Sequence, residues 1–495
     1  MDKARRTVLL MTDTQGANLV GCYGAPGLKT PRIDRLAEQG LRFDCAYTCQ
    51  PVCGPARAAL FTGTFPHTNG SWANCMPLSP DVRTVGQRLA AHGFHTAYVG
   101  KWHLDGSDYF GAGRCPDGWD PAYWYDMRRY LEELSPDDRV RSRKSETSYA
   151  KDLTADFTYA RRCSNRAISF LEKHHAEEFL LVVSYDEPHH PYLCPAPFNT
   201  MYREYEYPLK PNQNDPLTGK PEHHRVWAGE ALHKVREHGV RNPLYFGCNT
   251  FVDDEIGRVL DAVDRCAPDA LVLYTSDHGD CLQSHKLGNK GPAMYEEITR
   301  IPFIVRWPGV TKAGSLCRHP VSHIDVVPTI LDAAGMPGSK VLQGKSLAAT
   351  FVSPEVRPNG AVFIEFARYE TDHDGFGGFQ PIRCVFDGRH KLVINLLTSD
   401  ELYDLQTDPE ELKNLVDSPG HAAIRNALHD KLLEWMNATR DPFRGYYWER
   451  RPWRADAREA TWRYTGMTRQ REDEAEPRQL DYDTGLEMKA AVRKK

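Results

Sequence analysis

No stretch of this chain is apolar for long enough to cross a bilayer. The opening Met1-Asp2-Lys3-Ala4-Arg5-Arg6 leads into Thr7-Val8-Leu9-Leu10-Met11, a run too short for the core of a secretory signal. A cytoplasmic protein with no membrane partner is therefore expected. Among 13 cysteines there is no CxxC pair, which removes the usual frame of a structural zinc site. In that compartment the thiols are expected to stay reduced and mostly buried. There is no basic tract, and the formal net charge is -5, so nucleic acid is not an expected partner. Internal repeats are also absent.

What is present is an ordinary globular composition, 41% hydrophobic and 26% charged, over 495 residues. That length suits a large α/β domain carrying a smaller one. Short β-branched runs, each long enough for one buried strand, occur at Thr7 to Met11, His95 to Val99, Phe179 to Tyr185, Ala270 to Thr275, Pro302 to Arg306 and Val362 to Phe366. Helical periods lie between them, at Pro31 to Gln39, Phe251 to Val263 and Asp325 to Ala334. Alternation of this kind predicts an α/β fold, a large mostly parallel sheet sandwiched by helices, over residues 1–380. Residues 381–440 read as a small α+β unit. There Ile382 to Val385 and Lys391 to Leu396 flank the turn Asp387-Gly388, and a helix follows from His421 to Met436. Residues 441–495 form an aromatic and charged tail with Tyr447, Trp448, Trp453 and Trp462, a composition suited to docking on the body or on a second subunit as a homo-oligomer.

Ligands of an open parallel sheet bind at the carboxyl ends of its strands. Four candidate strands end in polar groups: Asp13-Thr14-Gln15, Lys101-Trp102-His103, Asp186-Glu187-Pro188-His189-His190, and Asp277-His278-Gly279-Asp280. Taken singly, each has an ordinary explanation as a cap or a turn. Together they offer hard oxygen ligands for a divalent cation, with Arg57, Lys101 and Lys290 available to bind an anion beside it.

The most specific segment is Cys53-Gly54-Pro55-Ala56-Arg57 with Leu60 and Thr62-Gly63 following. Pro55 is expected to begin a helix with Cys53 just ahead of it, where free N–H groups and the helix dipole would acidify a thiol. A plain thiolate nucleophile is one reading of this geometry and an incidental cysteine is another. The segment also resembles the sulfatase signature C-x-P-x-R with its T-G continuation. Met11-Thr12-Asp13, Gly100-Lys101-Trp102-His103, Pro188-His189-His190-Pro191, Asp277-His278-Gly279, Lys290-Gly291 and His323-Ile324-Asp325 occur in the same order as in that family. Residues 7–440 are similar to the type I, formylglycine-dependent sulfatases of the alkaline phosphatase-like superfamily, and the tail resembles an intracellular bacterial subgroup.

The resemblance implies a sulfate-ester hydrolase in which a separate maturation enzyme oxidises Cys53 to formylglycine. One hydroxyl of the aldehyde hydrate attacks sulfur, and the other later loses its proton to expel sulfate. It implies one calcium ion held by Asp13, Asp277, His278 and the residue at 53, with Thr14 a further candidate ligand and Gln15 another neutral oxygen. Here the pattern departs from many members, since Thr14 and His278 stand where Asp and Asn are usual. One carboxylate fewer weakens a calcium site and opens it to other divalent ions. Arg57, Lys101 and Lys290 are implied to neutralise the sulfate, His189 (with His190 as rival) to protonate the leaving alcohol, and His103 to take the final proton. Asn74 and His285 are secondary candidates for the pocket. The expected substrate is a small sulfated carbohydrate. A phosphonate or phosphate monoester hydrolase is the alternative, followed by a protein that binds a sulfated ligand without turnover.

Overall fold

A computed structural model describes residues 3–106, 109–370 and 378–454. Its strands are β1 (Arg6–Thr12), β2 (Leu41–Phe43), β3 (Ala46–Tyr47), β4 (His95–Gly100), β5 (Phe179–Ser184), β6 (Leu271–Ser276), β7 (Phe303–Arg306), β8 (Ser315–Cys317), β9 (Val321–Ser322), β10 (Val362–Phe366), β11 (Ile382–Phe386), β12 (His390–Asn395) and β13 (Glu401–Asp404). Seven of them form one sheet in the order β4-β5-β1-β6-β7-β2-β8. The four strands β4, β5, β1 and β6 are mutually parallel. β7 runs antiparallel to both of its neighbours, and β2 pairs in parallel with β8.

Strand periodicity divides the core in two. Val8 and Leu10 of β1 point to the face covered by the helices Pro31–Gln39 (α1), Tyr159–His174 and Pro243–Cys266. Leu9 and Met11 point to the opposite face, covered by Cys53–Thr62 (α2) and Val326–Ala333. Helices on both faces explain why β5 and β6 are buried at every position. No helix among the described residues is long and apolar enough to cross a membrane.

Two strands differ from the sequence reading. Phe303–Arg306 lies in the large sheet but is reversed. Val362–Phe366 leaves that sheet and pairs antiparallel with β11, giving the small sheet β10-β11-β12-β13. The boundary drawn at residue 380 therefore cuts through the small sheet. A mostly apolar strand looks the same from sequence whichever sheet buries it, and the run Val-Phe-Ile-Glu-Phe is such a strand. On one face of the small sheet, Val385, Leu392, Ile394 and Leu402 meet Leu428, Leu432 and Met436 of the helix Ala422–Ala438. On the other, Ile364, Phe366 and Cys384 pack on Tyr47 and Val52, the residue before Cys53. The start of the tail docks on this unit: Arg451 binds both carboxylate oxygens of Asp400 at 2.8 Å, and the Trp453 indole donates to the same group. Trp462 lies outside the described residues.

α1 begins with Pro31, and its free N–H groups find a partner on a neighbouring helix. Asp253 accepts from Ile33 N at 2.8 Å and from Arg32 N at 3.1 Å. Burial pushes the Asp253 carboxyl up to about 7 despite these bonds. Its folded pKa thus lies above the unfolded value of about 4, so between those limits the folded state holds the proton and the unfolded state does not. Stability from this group is present at low pH and is lost as pH rises through 7. Asp253→Asn should therefore gain stability relative to wild type as pH is raised from about 4 to about 7, and then level off. Urea unfolding across that range measures it.

Candidate active site

Because β4, β5, β1 and β6 are parallel neighbours, the residues after each converge on one edge of the sheet. β4 ends at Gly100, whose φ of +120° and approach to Ser184 leave no room for a side chain; a Cβ there would lie 1.9 Å from the Ser184 carbonyl oxygen. Lys101 and His103 follow. β1 delivers Asp13 and Thr14, β5 delivers Asp186 and His189, and β6 delivers Asp277 and His278.

Cys53 comes from the other side as the first residue of α2, so the helix starts two residues earlier than Pro55. Proline is tolerated throughout a first turn because those positions have no intrahelical acceptor to bind. The Gly54 N–H donates to Asn74 Oδ1 at 2.8 Å, so Asn74 secures the helix start beside the nucleophile position. Cys53 Sγ lies 3.0 Å from His278 Nε2 and 3.7 Å from Asp13 Oδ1. His278 Nδ1 donates to the Gly279 carbonyl at 2.8 Å, which fixes the tautomer and turns the Nε2 lone pair toward the sulfur and the carboxylates. Ligand atoms of Asp13, Cys53, Asp277 and His278 all fall within 4.8 Å of one another, and all four residues are buried.

Two carboxylates this close cannot both stay charged without help. Burial opposes the charge on Asp13, yet Lys101, His189 and Arg57 outweigh it and hold this carboxyl well below the usual range. Burial and then the charge of Asp13 push Asp277 up to about 7. A divalent cation would relieve this conflict, and two buried carboxylates with one oriented imidazole are a suitable donor set for it. The Thr14 hydroxyl donates to Asp13 Oδ1 at 2.7 Å, next to this set. Gln15 is turned away, its side-chain amide donating to Asn249 at 2.5 Å and its oxygen accepting from Thr12 at 3.1 Å.

Arg57 organises the floor of the site. Its guanidinium donates to Asp13 Oδ2 (2.9 Å), Asp277 Oδ2 (3.1 Å), the Lys101 carbonyl (2.7 Å) and Ser184 Oγ (2.7 Å), and no part of its side chain reaches solvent. Lys101 Nζ sits 2.8 Å from Asp13 and 3.1 Å from Asp186. Lys290 is buried and kept charged because Cys53, Tyr369 and Asp13 outweigh its desolvation. Among the described residues it makes no hydrogen bond or ion pair. The expectation of an acidified thiol fails, since burial and then Asp13 raise the pKa of Cys53 more than the nearby cations lower it. A thiol kept protonated is a poor nucleophile, which argues against the thiolate reading.

His103 adopts a left-handed backbone (φ 59°), its Nδ1 lacks a partner among the described residues, and burial keeps the ring neutral. His189 is buried beside Asp13, whereas His190 lies at the exposed rim with its Nδ1 2.9 Å from that of His189. His285 is placed elsewhere, bonded to Asp215 at 2.7 Å and stacked on Tyr295. His285 follows Asp277 closely in sequence, but its partners Asp215 and Tyr295 lie outside the Asp13–Asp277 group. Two residues enter the site without a spacing signal, Ser184 and Tyr109, and both meet groups that follow strand ends. The Tyr109 hydroxyl donates to Asp186 and lies 3.1 Å from His189 Nδ1, while its ring lies 4.1 Å from Lys101 Nζ. The run Asp372-His373-Asp374, whose hydrogen-bonding groups would suit a sugar, lies outside the described residues.

Arg57 and Lys290 should part in their effects. Arg57→Ala strands two buried carboxylates and should cost about 3–5 kcal/mol of unfolding free energy. Lys290→Ala removes a cation that has no partner to strand, so stability should hold or rise while turnover is lost. Denaturant unfolding and steady-state assays on both variants measure the contrast.

The Sulfatase family pattern matches residues 5–336, and that of the N-sulphoglucosamine sulphohydrolase C-terminal region matches residues 285–438. The chain is 46% identical over 489 residues to an uncharacterized sulfatase, YidJ, of Escherichia coli, covering 97% of this chain and 96% of the relative. Its fold is similar to that of a protein solved with its substrate D-glucosamine-2-N,6-O-disulfate (TM-score 0.74, 22% identity, 89% of this chain and 99% of the other). The fold is equally like that of the phosphonate monoester hydrolase of Agrobacterium radiobacter (TM-score 0.71, 22% identity, 88% and 96%). With the family pattern spanning the strand ends that carry Asp13, Lys101 and Asp277 and the helix start that carries Cys53, the chain belongs to the sulfatase family.

Proposed function

We propose that this sulfatase cleaves the sulfate monoester of a small sulfated carbohydrate, with a formylglycine made from Cys53 as nucleophile and a divalent ion held by Asp13, Asp277 and His278. The observation that carries the reading is the 3.0 Å approach of residue 53 to an oriented His278 Nε2, inside a buried set of two carboxylates and three cations. The formylglycine supplies a hydrate hydroxyl for attack on sulfur, and the ion supplies Lewis-acid polarisation of the ester oxygens. Arg57 fixes the two carboxylates. Lys101 and Lys290 offset the negative charge of the bound sulfate, Lys290 with all its donors free for the substrate. His189 donates a proton to the departing alcohol, its ring steadied by Tyr109, and neutral His103 accepts the proton released when sulfate is expelled.

Calcium is the ion the family pattern implies, and the imidazole in the set widens the choice to manganese or zinc. Thr14 is proposed as a neutral ligand beside Asp13. None of the thirteen cysteines is in a disulfide, which suits a cytoplasmic protein that meets a formylglycine-forming enzyme there. The carbohydrate rests on the C-terminal family pattern and on the sugar sulfate bound by a structural relative. Phosphonate or phosphate monoester hydrolysis is the second reading, favoured by the His278 nitrogen and by the shared fold of a phosphonate monoester hydrolase. A role in binding a sulfated ligand without turnover is not favoured, because Cys53, Arg57 and Asp277 are all present and assembled.

Matured enzyme should hydrolyse aryl and sugar sulfates with higher kcat/KM than a phosphonate monoester of matched leaving group. Chelation should abolish turnover, and titration with calcium, manganese or zinc should restore it with one equivalent per chain. A higher kcat/KM on the phosphonate would move the assignment to the second reading.

A further inference from the structure

We propose that Arg143 is a second anion subsite, so that the alcohol released by this enzyme carries another negative group, a carboxylate or a second sulfate. The inference rests on the sulfatase reading above and extends it to substrate class. Arg143 is half-buried, with its guanidinium carbon 5.3 Å from the Tyr109 ring centre and 4.8 Å from that of Phe110, and Nη1 3.5 Å from Met127 Sδ. Among the described residues it has no carboxylate partner, although neighbouring arginines find theirs readily. Arg141 pairs with Asp138 and Asp152, and Arg162 and Arg166 both pair with Glu133. A guanidinium partly stripped of water beside two rings, with Nη1 engaged only by a long contact to sulfur, keeps its other donors for a planar or tetrahedral anion.

Its position relative to the chemistry is set by one side chain. Tyr109 carries Lys101 Nζ 4.1 Å from its ring centre and Arg143 at 5.3 Å, so the two cations are no further apart than those distances combined. The same ring stacks on His189 at 5.2 Å, and its hydroxyl is 3.1 Å from His189 Nδ1. Arg143 and His189 thus share the Tyr109 ring as a common neighbour. A second anion on the leaving alcohol would meet Arg143 while the scissile sulfate meets Lys101.

The test is steady-state kinetics of wild type, Arg143→Ala and Arg143→Lys on four esters. These are a neutral aryl sulfate, glucosamine 6-sulfate, its N-sulfated form, and a 2-sulfated uronate. The expected result is a rise in KM of about tenfold for Arg143→Ala on whichever doubly anionic ester wild type prefers, equivalent to loss of one charge-assisted contact. KM for the neutral ester should move less than about twofold and kcat should hold for both. Preference for the N-sulfated sugar assigns the second group as sulfate, and preference for the uronate assigns it as carboxylate. Arg143→Lys should recover only part of the loss, since lysine has no planar fork. Equal losses on neutral and doubly anionic esters would overturn the proposal in favour of a packing role through Tyr109, as would a wild type with no preference for a second charge. Turnover of the neutral ester by wild type checks the sulfatase reading separately from either outcome.

Discussion

The guanidinium of Arg57 holds together groups that would otherwise repel. Asp13 and Asp277 stand at the ends of adjacent parallel strands, in register across Thr12 and Ser276, and lie in a setting with no solvent to screen them. Arg57 donates to both, and its remaining donors tie the strand ends at Lys101 and Ser184 into the same lattice. One side chain thus joins all four parallel strands at their ligand edge. The C-x-P-x-R spacing follows from this, since it sets the arginine one helical turn beyond the nucleophile, where it can reach back to the sheet.

The site needs a second anchor because α2 enters from outside the parallel sheet. The small antiparallel sheet provides it, packing Ile364, Phe366 and Cys384 against Val52 and binding the Cys49 carbonyl through Glu365 N at 2.8 Å. Asn74 bridges the same region, taking the Gly54 N–H on its side chain and donating its own backbone N–H to Tyr369 at 2.9 Å. A region that looks like an appendage in sequence therefore sets where residue 53 sits relative to Asp13.

The chemistry was legible in the sequence where it follows strand ends. Asp13, Lys101, His189 and Asp277 each come directly after a β-branched run, and the parallel topology brings them together. Helix Pro31–Gln39 was also legible, from proline at its first position and glycine at its stop. Partnership was not. The sequence of β10 does not say which sheet buries it, and the place of Pro55 does not say where α2 begins. Nothing in the spacing of Tyr109 or Ser184 marks them as neighbours of Lys101 and Arg57. The thiol reading failed for an energetic reason: a helix start favours an anion, but full burial beside Asp13 outweighs it. His285 sat in the right stretch of sequence and turned to a different partner, Asp215.

Residue 53, the proposed nucleophile, stands 3.0 Å from the oriented Nε2 of His278. The most direct test is the mass of the peptide containing Cys53, from protein produced together with a formylglycine-forming enzyme. Conversion of the thiol side chain to an aldehyde, in step with the appearance of sulfatase activity, is the predicted result. A peptide that keeps its thiol in fully active protein would contradict the account and make Cys53 itself, or another residue, the nucleophile.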